Sequence, residues 1–270
     1  MADLQISFPG VPAEAIAIEL DSNTEYVDTN EKKLRDVLGH HHYFTYIQSI
    51  ASGDVAMRWV MDDNTGADHF IMANADLTVA DNIGDVELLY AASAWATYTS
   101  LFHIVAPSFF TRLGKDDRYI LEEFTLTKQQ FYELRLGNYP AASDRSYKIQ
   151  GIHIGEWFTP ATSVSSSSVS YLNEISPYFI TSDQSLISTK IQDELLKFTV
   201  SWRGVNQVKI EALEDKLKKD YNRFVYLYAP TDDVILGGQK LRYCKITDVR
   251  HEKIFAGWFV LSMTFEELER

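Results

Sequence analysis

Apolar side chains recur mostly at every second position, the spacing that places them on one face of a strand. Leu4, Ile6 and Phe8 alternate up to Pro9-Gly10, and Ile16, Ile18 and Leu20 repeat the pattern. Val55, Met57, Trp59 and Met61 lead into Asp62-Asp63-Asn64-Thr65-Gly66, and Phe70 and Met72 alternate afterwards, which predicts a hairpin turning at 62–66. Leu196, Phe198, Val200 and Trp202 alternate with Lys197, Thr199, Ser201 and Arg203, a half-buried strand that stops at Gly204. Three more strands are predicted over 224–228, 241–249 and 258–265.

A helical period is rarer. Asn206 can cap a helix over 207–220, where Ile210, Leu213, Leu217 and Tyr221 share a face opposite Lys209, Lys216, Lys218 and Lys219. Asp28-Thr29-Asn30-Glu31 followed by Gly39 predicts a short helix near 30–38, and the capping box at Thr127-Lys128-Gln129-Gln130, with Phe131, Leu134 and Gly137, predicts two helical turns. Residues 86–106 fit either period: Leu88, Ala92, Trp95 and Phe102 line up on a helix, whereas the Tyr, Thr and Val content favours strands. The fold class is therefore a β-rich α+β protein. Its C-terminal half runs strand, helix, strand, strand, strand, so the helix covers a sheet, and the fold of its β-rich N-terminal half is left undefined by the pattern.

Turn formers and small polar residues at 137–146 place a boundary there, giving an N-terminal domain over 1–144 and a C-terminal domain over 145–270. Tyr147, Ile149, Ile152 and Ile154 open the second domain as a strand broken at Gly151. The polar stretch 159–188, with Ser165-Ser166-Ser167-Ser168, reads as a long arm anchored by Tyr171, Ile175, Tyr178, Phe179 and Ile180.

At 270 residues, 46% hydrophobic and 13% aromatic, the chain is too apolar for disorder and long enough for two domains. Its single cysteine, Cys244, excludes an intramolecular disulfide and a multi-cysteine zinc site, suits a reducing environment, and fits a buried place in a strand. Met1–Gln5 shows neither a basic segment nor a long apolar run, so synthesis in the cytoplasm is expected. Residues 88–111 hold no formally charged side chain and are long enough to cross a bilayer, but His103, Pro107 and many hydroxyl groups argue against insertion.

The formal charge of −13 excludes a general nucleic-acid-coating surface. The acidity is uneven: residues 1–189 carry 11 basic and 25 acidic side chains, against 14 and 13 over 190–270.

Candidate chemistry is sparse. His40-His41-His42 offers imidazole ligands, but adjacent residues rarely point at one ion and no carboxylate sits at helical ligand spacing beside them. Asp62-Asp63-Asn64-Thr65-Gly66-Ala67-Asp68 places oxygens like the start of a calcium loop without its glycine position or distal Glu, which suits a plain turn. Lys245 could activate Cys244, although a core cysteine is the simpler reading. Gly237-Gly238 is a turn signal, and the acid pairs Asp116-Asp117, Glu122-Glu123 and Glu266-Glu267 split across the two faces of a strand. No catalytic, cofactor-binding or metal residue is assigned, no cofactor is expected, and the chain reads as no enzyme.

Over 147–270 a series of features does match a known plan: Tyr147-Lys148-Ile149-Gln150-Gly151-Ile152, the serine-rich arm, Lys197–Trp202, the helix, Arg223–Pro230, Leu241–Asp248 and Trp258–Glu267. This resembles the tail-tube-like domains of bacteriophage tail and baseplate proteins, where an I-x-G strand, a long loop, a Trp strand, a helix, a Y-x-x-P turn and a closing W-x-x-x-x-x-F-x-E strand recur. The resemblance implies a tail-tube-like β-sandwich or barrel, with residues 1–144 a second tube-like domain or a baseplate-specific addition, and a structural virion protein at the tail end. It also implies self-association into a trimeric or hexameric ring, contact with other tail or baseplate proteins, DNA passing through the channel without specific binding, no membrane, and assembly in a host cytoplasm; the acidity of 1–189 suits either a channel wall that repels phosphate or a subunit kept soluble before assembly. The alternative is a β-rich small-ligand or carbohydrate-binding protein that uses Trp95, Trp157, Trp202 or tyrosines as stacking platforms. A hydrolase built on His103 or His153 with nearby acids is a third reading.

Overall fold

In the computed structural model the described residues are 4–20, 24–26, 45–49, 55–73, 85–93, 97–105, 110–111, 118–137, 146–149, 151–161, 163–171, 178–180, 186–188, 195–219, 223–231, 236, 238 and 240–268. In chain order the elements are β1 (Gln5–Ser7), α1 (Val11–Glu14), β2 (Ala17–Leu20), β3 (Thr24–Tyr26), β4 (Thr45–Ser49), β5 (Val55–Ala73), β6 (Asp85–Ala91), β7 (Thr99–Val105), β8 (Phe110–Thr111), β9 (Arg118–Gly137), β10 (Ser146–Ile149) and β11 (Gly151–Gly155). They continue with β12 (Trp157–Phe158), β13 (Ser166–Tyr171), β14 (Tyr178–Ile180), β15 (Leu186–Ser188), β16 (Leu196–Asn206), α2 (Gln207–Leu217), β17 (Phe224–Tyr228), β18 (Leu241–Phe255) and β19 (Trp258–Glu267). The protein is β-rich and its sheets are antiparallel.

The chain divides into two compact units, and the division is not head to tail. One unit is continuous, Ser7–Trp157; the other joins Met1–Ile6 to Phe158–Glu269. The first unit is thus inserted, in sequence, between the first strand of the second and the rest of it. The boundary expected near 144 falls among residues outside those described, and β11, read as part of the C-terminal domain, pairs with β5 inside the inserted unit.

In the discontinuous unit a seven-stranded sheet runs β12-β1-β17-β18-β19-β16-β13. Leu196, Phe198, Val200 and Trp202 are all buried, and their partners across the ladder include Phe265, Met263 and Leu261. A register shift between Arg203 and Val205, at Gly204 (φ 78°), moves the buried position from even to odd so that Val205 also points inward. The predicted helix is α2: the Asn206 side chain accepts from the Lys209 backbone N–H at 2.9 Å, and Ile210 and Leu213 are its buried residues. The serine-rich stretch is not a free arm at 166–171. It is β13, paired residue for residue with β16, because serine and valine fit an edge strand whose side chains from Ser166 to Ser170 are exposed.

In the inserted unit the sheet runs β11-β5-β9-β6-β7, with β2 on β5 and β8 on β9. Two expectations are corrected here. The hairpin at 62–66 does not form: β5 passes straight through, with register shifts against β9 between Val60 and Thr65 and between Ala67 and His69. The Asp-rich segment is taken up as bulges because a continuous β9 partner lies alongside, and Tyr132 Oη ties the region by donating to the carbonyls of Thr65 (2.7 Å) and Thr127 (3.2 Å). The two helical turns at 127–137 are the end of β9, where Tyr132, Leu134 and Leu136 bury on alternate positions; period two wins over the capping box once β5 and β6 flank the segment. The open choice at 86–106 resolves as strands β6 and β7. Among the described residues no helix is long and apolar enough to cross a membrane. The helix expected near 30–38 lies outside the described residues.

The bulges have a second effect. Core positions on β5 are odd-numbered through Met57, Trp59, Met61 and Ala67 and even-numbered at Phe70 and Met72. The extra residue turns His69 onto the opposite face from that core.

Candidate functional site

Two polar clusters lie on the inserted unit. The first sits mid-sheet on the face opposite the core. Arg58 on β5 and Glu133 on β9 are register partners, and Arg135 follows Glu133 on the same face. The Glu133 side chain is fully buried, and its two oxygens are shared out: Arg58 Nε donates to Oε2 at 2.5 Å and Arg135 Nε donates to Oε1. Arg58 remains 23% and Arg135 34% exposed, so each guanidinium links the buried carboxylate to the solvent side. Tyr98 caps the group: the Arg58 and Arg135 guanidinium carbons stand 5.8 and 5.2 Å from its ring centre. Partial burial first, and the neighbouring Glu133 carboxylate second, push the Tyr98 phenol up, so it stays neutral at physiological pH.

Further polar groups share this face. Glu87 on β6 lies opposite both Arg135 and His103 in the ladder. His103 Nε2 bonds Asp85 Oδ2 at 2.8 Å, with the imidazole half exposed. The arrangement is an array of two arginines, carboxylates and one aromatic ring.

The second cluster is buried. Ser7 Oγ meets His69 Nε2 at 2.5 Å and His153 Nε2 at 3.0 Å, and His69 Nδ1 meets Asp68 Oδ1 at 2.8 Å. His153 Nε2 also reaches the Phe8 carbonyl at 2.5 Å. Trp157 stacks on His69 with ring centres 3.7 Å apart; its backbone N–H donates to Asp68 Oδ1 and its indole N–H to Glu123 Oε1, each at 3.1 Å. The proton positions follow from the pure acceptors. Asp68 requires the proton on Nδ1 of His69, and the Phe8 carbonyl requires one on Nε2 of His153. Burial, the larger effect, holds the His69 imidazole below its usual value against the raising influence of Asp68, so Nε2 is a bare acceptor and Ser7 donates to it. The order Ser–His–Asp imitates a nucleophile, base and orienting acid, but Ser7 and His69 are fully buried and no substrate reaches them.

The residues singled out in the sequence distribute as follows. Asp62, Asp63 and Asn64 are exposed, Asp68 is spent on His69 and Trp157, and among the described residues no three metal-ligating side chains gather. Cys244 is buried in β18. Trp202 is fully buried and is no stacking platform, and Trp157 is occupied by His69. His103 pairs with Asp85, and His153 joins the buried cluster. Glu122 lies beside Glu123, its carboxyl pushed up by partial burial and then by that neighbour. His40–His42, Trp95, Asp116-Asp117 and Gly237 lie outside the described residues. Arg58, Glu133, Arg135 and Tyr98 were not singled out; the available signal was a charged residue at alternate positions inside otherwise apolar strands.

No family model matches the chain, and no curated protein does. Solved structures that match include the lectin domain of lectinolysin in complex with Lewis B antigen, at 13% identity and a TM-score of 0.36 over 53% of this chain and 94% of that one. An F5/8 type C domain from Bacteroides fragilis matches at 10% identity and 0.34 over 55% and 95%, and a Streptococcus pneumoniae fucose-binding module at 12% and 0.29 over 51% and 95%. Scores this low carry no ligand across. The tail-tube plan also comes apart in the structure: its opening strand, 147–152, pairs with β4 and β5 in the inserted unit, its loop holds strand β13, and its remaining strands lie in the other unit. What was left of the pattern is alternation and turns, which any antiparallel sheet shares. The reading as a bacteriophage tail or baseplate protein, a virion structural component, is therefore corrected: the chain is similar to lectin, F5/8 type C and fucose-binding domains instead.

Proposed function

We infer that the protein is a carbohydrate-binding protein and that the sugar sits on the open sheet face at Arg58, Glu133, Arg135 and Tyr98. One observation carries this reading: a fully buried carboxylate clamps two partly exposed arginines beneath a tyrosine ring. A sugar presents neighbouring hydroxyls that both donate and accept, and a flat C–H face. An arginine fork supplies parallel donors to such hydroxyl pairs, and an aromatic ring offers an apolar face to the C–H groups. Glu87 and the half-exposed His103 add further polar groups on the same face. Because Glu133 holds both guanidinium groups in place before any ligand arrives, little side-chain entropy is lost on binding.

The test is titration calorimetry after a screen of neutral and acidic oligosaccharides. Wild type should bind at least one class, and Arg135→Ala should weaken that binding by at least about tenfold, or ~1.4 kcal/mol, with circular dichroism unchanged. Absence of binding at millimolar sugar across the panel, or an Arg135→Ala protein that binds like wild type, rejects the reading.

A further inference from the structure

Ser7 and Trp157 are the first and last residues of the inserted unit, and both end on His69. Three separate stretches of chain meet there: Ser7 and Phe8 from the start, Asp68 and His69 from the β5 bulge, and His153 and Trp157 from β11 and β12. We propose that this cluster is a proton-sensitive clasp, closed while His69 is neutral and released when His69 takes up a proton, so that acid frees the two ends of the inserted unit.

The argument is a count of donors and acceptors. In the closed state every proton has a place: His153 Nε2–H points to the Phe8 carbonyl and to Ser7 Oγ, the Ser7 hydroxyl donates to His69 Nε2, and His69 Nδ1–H donates to Asp68. A proton on His69 Nε2 removes the acceptor of the Ser7 hydroxyl. Ser7 is fully buried, so the hydroxyl keeps the His153 donor but its own proton is left without an acceptor, a state that costs free energy on the scale of a lost hydrogen bond. The imidazolium would also sit in a site with no access to water. Against it stand the groups that favour a cation: Asp68 on Nδ1, and Glu123, which faces His69 across the β5–β9 ladder and is held by the Trp157 indole, with Glu122 beside it. Among the described residues, β11 brings His153, which is a donor, and the chain start brings Ser7 and the Phe8 carbonyl. Glu156 is exposed, near Gly66.

The sign follows from burial. The folded His69 value lies below the ordinary 6.5, so below pH 6.5 the open form binds a proton that the closed form does not. The clasp therefore holds fully above about pH 6.5 and weakens as the pH falls towards the folded value.

Hydrogen exchange on the full chain at pH 7.5 and 5.5, corrected for intrinsic rates, tests this. Peptides covering 4–11, 68–73 and 151–158 should exchange faster at pH 5.5, up to about tenfold for each pH unit below 6.5. Peptides covering 196–206 and 258–267 should not. His69→Gln, which cannot titrate, should abolish the difference. Equal protection of the three segments at both pH values overturns the proposal, as does an equal loss in the reference peptides or a full acid response in His69→Gln. Should His69→Gln fail to fold, the wild-type comparison with its internal reference decides alone.

Discussion

Each unit holds a buried glutamate closed by arginine, and the two end differently. Glu267 in the discontinuous unit accepts from Arg242 Nη1 and from the Leu196 backbone N–H at 3.1 Å; Arg242, only 7% exposed, spends Nε on the Leu236 carbonyl at 2.7 Å and lies over the Phe198 ring. All of these bonds run inward. Glu133 in the inserted unit is as deeply buried, yet its arginines stand between it and solvent under Tyr98. The chemistry is the same, and the location differs: at the junction of β16, β18 and β19 it ties strands together, whereas mid-sheet it leaves both guanidinium groups partly exposed, which the proposed sugar site would use.

Removing one partner separates these roles. Arg242→Ala strands a buried carboxylate and should cost about 3–5 kcal/mol in denaturant unfolding, with sugar binding by the surviving inserted unit retained. A smaller loss would mean that water reaches Glu267. Glu133→Gln keeps the shape but removes the charge that aligns two arginines; a loss of about 1–3 kcal/mol is expected, with sugar binding abolished. Unchanged binding would show that the arginines are held by something else. Tyr98→Leu removes a half-buried ring and its hydroxyl beside the Glu133 carboxylate and should cost about 1 kcal/mol of stability, while weakening the sugar. A larger stability loss than that of Glu133→Gln would make Tyr98 a structural cap.

The same contrast explains what the sequence allowed. The β16 strand and α2 were legible because each rule agreed: clean alternation from Leu196 to Trp202, then Asn206 as a cap before Ile210 and Leu213. In the inserted unit local signals pointed elsewhere. Asp62–Gly66 has the composition of a turn, and only the presence of β9 turns it into bulges. Thr127–Gln130 has the composition of a helix start, which hid the alternation of Tyr132, Leu134 and Leu136 and with it the outward pair Glu133 and Arg135. The clasp was out of reach for another reason: Ser7 and His69 are 62 positions apart and Ser7 and His153 are 146 apart, and no spacing rule joins such residues.

The insertion also sets a timetable for synthesis. Leu4 and Ile6 end fully buried, and β1 lies in the sheet beside β12 and β17, strands that leave the ribosome only about 150 and 220 residues later. At ordinary elongation rates of about 5–20 residues per second the first strand waits on the order of 10–40 s for its neighbours. During that interval the inserted unit emerges whole and has time to fold, so a nascent chain carries a finished module before its other half exists.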